Sequence, residues 1–318
     1  MIARRSALAG LAAVAAWPAA ARRFATLITA APPGSSGDDI ARSFARHLEH
    51  TLNGPEILVR NVPGDGGRAA LHALAEAPPS GATLGWVATP VLPARTVDRG
   101  DPHLPGRLAL LGSVEREPIV FVASAADPLG SVRDIIQRAG QDAGALPLGT
   151  PPPGSAPHLA ALRLQALTQT RLNIIAFPSA AAARQALLGG NVTAAVLGLA
   201  DTIAALREEK LIGLGVAARG RSGILPDMPL LSEAGVPLSA WIRRGLAVPA
   251  ATPREIQEPL ILAIQGVATS AAFTEQAETM GLLSAWSDGT AWAAQVEKER
   301  AELAILWAAD PWLNASGQ

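Results

Sequence analysis

Short apolar runs alternate along this chain with glycine- and proline-rich joints and with amphipathic stretches. Phe24–Thr29 (FATLIT) predicts a buried strand, and the loop Ala31-Pro32-Pro33-Gly34-Ser35-Ser36-Gly37 follows it. From Asp38 and Asp39 onward, Ile40, Phe44 and Leu48 recur at helical spacing. The two acids then fall in the first turn, where they complement the helix dipole. Glu56–Arg60 (EILVR) predicts a second strand, closed by Asn61-Val62-Pro63-Gly64-Asp65-Gly66-Gly67, with a helix over Arg68–Ala77. Thr83–Ala88 (TLGWVA) predicts a third strand, ended by Thr89-Pro90. This alternation of strand, glycine loop and helix predicts a parallel sheet built of βαβ units.

Strands near Leu108–Leu111 and Ile119–Ala123 are expected to carry the chain into a second lobe, where the pattern recurs. Leu146–Gly149 is a short strand. The loop Thr150-Pro151-Pro152-Pro153-Gly154-Ser155 follows, and a helix begins near Ala156. Asn173–Phe177, Thr193–Leu197 and Ile212–Ala217 read as strands, with helices over Ala180–Leu188 and Asp201–Glu209. From Leu246 the chain is expected to return to the first lobe. Thr252-Pro253-Arg254-Glu255 opens the first of two or three closing helices. The expected class is α/β in two lobes, one of residues 22–121 plus 245–318 and one of 122–244. No fixed short period argues for a solenoid.

The first residues fit no domain. Arg4 and Arg5 precede an apolar run, Ser6–Ala16, and small residues follow at Ala19, Ala20 and Ala21. That is the build of a secretory signal peptide, cleaved near Ala21, and it directs the mature chain to the periplasm. The apolar run is too short to span a bilayer comfortably. A buried alanine-rich helix is the alternative, and export by the general or the twin-arginine route stays open.

Composition narrows the chemistry. The absence of cysteine excludes a disulfide framework, a thiolate metal site and a cysteine nucleophile. A formal net charge of −1 gives no broad basic field, so nucleic acid is not an expected partner. With Lys210 and Lys298 the only lysines, Schiff-base or phosphate-lysine chemistry is hard to place, and the lack of tyrosine removes phenolic acid–base chemistry. No P-loop lysine motif, G-x-S-x-G elbow, H-E-x-x-H helix or dinucleotide fingerprint is present. No enzyme activity, cofactor or metal is therefore expected.

Two loops remain as candidates: Pro33, Gly34, Ser35, Ser36, Gly37 and Asp38 in the first lobe, and the stretch from Thr150 through Gly154 and Ser155 to His158 in the second. Each joins the C-terminal end of a strand to a helix N-terminus, the edge at which open α/β sheets bind ligands. Backbone N–H groups and the helix dipole favour an anion there. One loop on each lobe would make a pincer around a carboxylate; the alternative is two ordinary tight turns. Asp38 either meets a ligand amine or caps its helix. His158 is either a ligand contact or a structural histidine. His47 and His50, three apart, are expected on the solvated face of the first helix rather than on a metal. Arg243 and Arg244 either meet an acid group or decorate the surface.

Taken in order, these motifs resemble the Bug family, the TctC-like extracytoplasmic solute receptors of tripartite tricarboxylate transporters. The stretches that carry the resemblance begin with Pro32-Pro33-Gly34-Ser35-Ser36-Gly37-Asp38, Arg60-Asn61-Val62-Pro63-Gly64-Asp65-Gly66-Gly67 and Ala77-Pro78-Pro79-Ser80-Gly81-Ala82-Thr83-Leu84. Gly154-Ser155-Ala156-Pro157-His158-Leu159-Ala160, Leu187-Leu188-Gly189-Gly190 and Leu225-Pro226-Asp227-Met228-Pro229 continue it, followed by Glu233-Ala234-Gly235-Val236-Pro237 and Pro249-Ala250-Ala251-Thr252-Pro253. The resemblance implies a Venus-flytrap fold of the type II-like periplasmic binding proteins, with an interlobe cleft. It implies a small carboxylate ligand, membrane permease subunits as partners and a monomeric receptor. It also implies recognition mainly through backbone N–H groups, with Thr89, Pro90 and Phe177 as walls. Passing the liganded state to a signalling partner, or catalysis on the same fold, are the alternatives. The sequence departs from the family pattern at Ala30, Pro33, Asp65, Phe177 and Thr193, and Trp241-Ile242-Arg243-Arg244-Gly245 stands where the family has tryptophan, an aromatic and glycine. Proline at position 33 removes one N–H donor from the first loop.

Overall fold

A computed structural model of the chain describes residues 24–313 apart from positions 54 and 128. The expected signal segment lies outside the described residues. The chain divides into two compact units. Among the described residues the first holds Phe24–Arg116, Arg243–Thr279 and Leu283–Ala309; the second holds Glu117–Ile242, Met280–Leu282 and Asp310–Leu313.

In the first unit β1 (Phe24–Thr29), β2 (Glu56–Asn61) and β3 (Thr83–Thr89) are parallel, in the order β2-β1-β3. The sheet continues through β9 (Trp241–Pro249), antiparallel to β3, to β4 (Leu108–Ser124), and β10 (Leu283–Asp288) pairs antiparallel with β4. The helices are α1 (Ser36–Leu52), α2 (Arg68–Ala75), α3 (Val91–Asp98), α8 (Arg254–Ala268), α9 (Ala271–Thr279) and α10 (Gly289–Ala309). Helix α1 forms because its apolar positions make one stripe: Ile40, Phe44, Leu48 and Leu52 are all buried. Phe44 stacks at 5.0 Å on Trp86 of β3 and meets Phe273 of α9 edge-on at 5.5 Å. A second cluster joins Leu71 and Leu74 of α2, Val87 of β3 and Leu92 of α3 to Trp292 and Val296 of α10.

The second unit repeats the plan. β5 (Pro147–Thr150), β6 (Asn173–Ala176) and β7 (Ala194–Gly198) are parallel, in the order β6-β5-β7. The far half of β4 and β8 (Leu211–Val216) complete the sheet antiparallel. Its helices are α4 (Val132–Gln141), α5 (Ala156–Thr168), α6 (Ala180–Leu188) and α7 (Leu199–Arg207). Both faces of this sheet are covered, and the alternation along β4 shows it. Ile119, Phe121 and Ala123 enter one buried cluster, while Val120 and Val122 enter the other.

The two strands expected at Leu108–Leu111 and Ile119–Ala123 are one strand of 17 residues. The polar run Glu115-Arg116-Glu117 reads as a break, yet Glu115 is 0% and Glu117 1% exposed. Each is satisfied in place. Arg244 Nη1 lies 2.8 Å from Glu115 Oε1, and the Ala200 N–H donates to Glu117 Oε1 at 2.9 Å. The strand therefore runs through its charged middle, with Leu108–Arg116 in the first unit and the remainder in the second. β9 and β10 were not foreseen as strands, nor α3 and α4 as helices.

Candidate functional site

Parallel pairing fixes where the candidate loops lie. In the first unit β1 and β2 end level at Thr29 and Asn61, while β3 continues three residues past Trp86, the partner of Thr29, and all three loops leave the same sheet edge. In the second unit β5 and β6 end together, and the Phe177 N–H donates to the Thr150 carbonyl at 2.8 Å. The sequence-predicted residues thus form two sets: Pro33–Asp38 with Thr89 and Pro90, and Thr150, Gly154, Ser155 and His158 with Phe177.

The two loops have the same internal construction. Gly34 has φ +73° and Gly154 φ +75°, a left-handed conformation that suits glycine. The next residue, Ser35 or Ser155, is the N-cap of α1 or α5. Ser35 Oγ accepts from the Asp38 N–H at 3.3 Å, and Ser155 Oγ from the His158 N–H at 3.4 Å. The serine N–H donates back to the carbonyl of Pro32 at 3.2 Å, or of Pro152 at 3.0 Å. The glycine N–H donates to the side chain four residues on: Gly34 to Asp38 Oδ2 at 2.9 Å, Gly154 to His158 Nδ1 at 3.4 Å. Pro-Pro-Gly-Ser followed by an acceptor at the fourth position is the shared sequence. It is visible in Pro32–Asp38 and Pro152–His158 once the two stretches are aligned on their glycines.

The loops differ at that acceptor. Asp38 is 3% exposed, and its carboxylate is fully engaged. Besides the Gly34 N–H it takes Arg42 Nε at 3.0 Å and Asn61 Nδ2 at 2.8 Å. Burial pushes the Asp38 carboxyl up, but the hydrogen bonds from Arg42, Asn61 and Gly34 outweigh it and hold the group below the usual aspartate range. Asn61 also donates to the Ala31 carbonyl at 2.9 Å and accepts from Arg42 Nη2 at 2.9 Å. It ties the β2 end to the β1 loop, a role its position at the strand end did not disclose. In the second loop the acceptor is an imidazole nitrogen, Nδ1 of His158.

The chemical capacity follows from the helix starts. The first N–H groups of a helix have no intrahelical carbonyl partner and carry partial positive charge. α1 presents Gly37 at such a position; α5 presents Ala156 and then Pro157, which has no N–H. A third helix start, that of α7, is occupied by the chain's own Glu117 at the Ala200 N–H.

Other candidates resolve as follows. Thr89 is 1% exposed, its Oγ1 lies 3.4 Å from Trp292 Nε1, and the Thr89–Pro90 peptide is cis. Phe177 is half-buried against the cluster of Val192 and Leu187. His50 is exposed as expected, whereas His47 is half-buried with its ring edge-on to Phe273 at 5.6 Å. The apolar stripe of α1 is wider than Ile40, Phe44 and Leu48 alone and draws in the imidazole face. Among the described residues no three His, Asp or Glu side chains group as metal ligands, and no helix is long and apolar enough to cross a membrane. Arg244 is 11% exposed and pairs with Glu115 inside the first unit, so it is not a surface decoration.

Two α/β units, each ending its parallel strands on a glycine–serine helix cap, have the build of the two-lobed solute-binding proteins. The model of the tripartite tricarboxylate transporter family receptor, TctC, matches residues 40–301, and the chain belongs to that family. A UPF0065 protein of Bordetella bronchiseptica is 28% identical over 294 residues, 91% of this chain and 85% of its own. A ligand-free TctC solute-binding protein from Polaromonas is similar at TM-score 0.71 and 26% identity, over 91% of this chain and 99% of that one. Rhodopseudomonas palustris Rpa4515, solved with adipate, is similar in fold at TM-score 0.83 and 24% identity, over 92% of this chain and 97% of its own. The fold is thus that of the two-lobed periplasmic binding proteins, and the family is one of receptors rather than enzymes.

Proposed function

We propose that this protein captures a small organic acid in the periplasm and hands it to the membrane permease of a tripartite tricarboxylate transporter. The observation that carries the reading is the matched pair of Pro-Pro-Gly-Ser loops. Each sets a helix N-terminus at the C-terminal edge of its unit's parallel strands, and each suits a carboxylate. The adipate held by Rpa4515 supports the same ligand class. In this reading each loop offers its helix start to an acid group of the ligand, Gly37 in α1 and Ala156 in α5. Thr89, Pro90, Thr150, His158 and Phe177 shape the walls. Asp38 acts from behind, holding its loop in shape. The receptor works as a monomer after its signal segment is removed near Ala21.

A thermal-shift screen of the mature chain tests this. Mono-, di- and tricarboxylates, amino acids and aromatic acids are compared with phosphorylated, cationic and sugar ligands. Binding at a hundredfold excess over Kd adds about 2.7 kcal/mol of stability, which a melt resolves readily. A shift with acids is expected, and it should be lost in Gly34→Val combined with Ser155→Ala. A shift with sugars or cations alone sinks the acid reading, and unchanged acid affinity in the double variant moves the site elsewhere.

A further inference from the structure

The first unit contains a pocket of about 250 Å³ between β4, β10, the start of β9 and α10. Ser113, Glu115, Arg116, Arg243, Trp286 and Gln295 are among its lining residues. Its polar groups are mostly donors: two guanidinium groups, two serine hydroxyls including that of Ser287, and the Gln295 amide, whose Nε2 donates to Glu299 Oε1 at 3.0 Å. The one carboxylate in its wall, Glu115, has Arg244 at 2.8 Å to offset its charge. Arg243 is 28% exposed and only 3.5 Å from Glu299, a long contact for an ion pair that leaves room for a second partner.

Burial, and then the charge of Arg243, push the Arg116 guanidinium below its ordinary range, so both influences disfavour its charge. The pocket also adjoins the candidate binding edge. Arg243 is the β-ladder partner of Thr89, and Trp292, which lines the pocket, contacts Thr89 Oγ1. Its volume equals about eight water molecules at roughly 30 Å³ each, which is room for an acid group and a short chain.

We propose that this pocket is a carboxylate site in which Arg243, with Arg116 beside it, selects for ligands that carry a further acid group. The proposal rests on the acid-receptor reading and adds to it a residue that decides among acids. Arginine can grip a carboxylate through two parallel N–H bonds, a geometry lysine lacks.

The test is calorimetric titration of the mature chain with two matched pairs, succinate against butyrate and adipate against hexanoate. The wild-type chain should bind at least one diacid about 10- to 100-fold more tightly than its monoacid partner. Arg243→Gln should bring that ratio to within about threefold while the monoacid affinity stays where it was, and Arg243→Lys should fall between. Circular dichroism confirms that each variant is folded, and the lysine variant, which keeps the charge beside Glu299, serves if the glutamine variant is not. Equal affinity for diacid and monoacid, or a preference that survives substitution of Arg243, overturns the pocket's role while leaving the receptor reading intact. Failure of every acid to bind the wild-type chain overturns both.

Discussion

Asp38 shows how one buried side chain can hold a loop in shape from within. Its carboxylate collects Gly34 N–H, Asn61 and Arg42 while 3% exposed, so the loop's left-handed glycine is held from inside. The net depression of its pKa means that the folded state favours the charged form. The sign follows: the unfolded chain binds the proton more readily, so this contribution is complete above the ordinary aspartate pKa of about 3.9 and is lost as pH falls through the lower folded value. Asp38→Asn keeps the shape but removes the charge and turns one acceptor into a donor. A loss of about 1–3 kcal/mol in urea unfolding at pH 7 is expected, shrinking as the pH is lowered toward 3. An equal loss at both pH values would show that the charge is not what matters. Two readings were open for Asp38 in the sequence, ligand contact or helix cap. Neither described the bond back to Gly34, because Arg42 and Asn61 come near it only through the fold.

Several strands and the first helix were legible where their apolar pattern was uninterrupted, whereas α3, α4 and β10 were not. β1, β2, β3 and the apolar stripe of α1 follow from FATLIT, EILVR, TLGWVA and the Ile40–Phe44–Leu48 spacing, since each buries the face its pattern marks. β4 and β9 were not, and for one reason: each carries charge in a buried place. Glu115 and Arg244 neutralise one another across neighbouring strands, 129 residues apart in sequence, so no local window contains the reason either is tolerated. Gly245, beside Arg244, allows the close passage of β9 over Gly112 and Ser113 of β4, where a side chain would collide with the backbone. Arg244→Ala strands the fully buried Glu115, and a loss of about 3–5 kcal/mol is expected in equilibrium unfolding. Glu115→Leu with Arg244→Met should cost far less, because no charge is left buried. A double variant as unstable as the single one would mean that the pair is not the source of the cost. The loop repeat was equally present in the sequence and equally easy to miss, since 120 positions separate Gly34 from Gly154.

The two units share one plan, and the family membership puts this chain among the TctC receptors. The acid is the part that composition could not supply. Backbone N–H groups suit carboxylates in general, so the choice among acids falls to side chains, and Arg243 is the one proposed above. Calorimetric titration of the purified mature chain with a panel of small carboxylates is the most direct measurement. The receptor reading predicts saturable binding of at least one acid with one ligand per chain, weakened at least tenfold by Ser155→Ala together with Gly34→Val. Saturable binding of a sugar or a cation, with no heat from any acid, would contradict it.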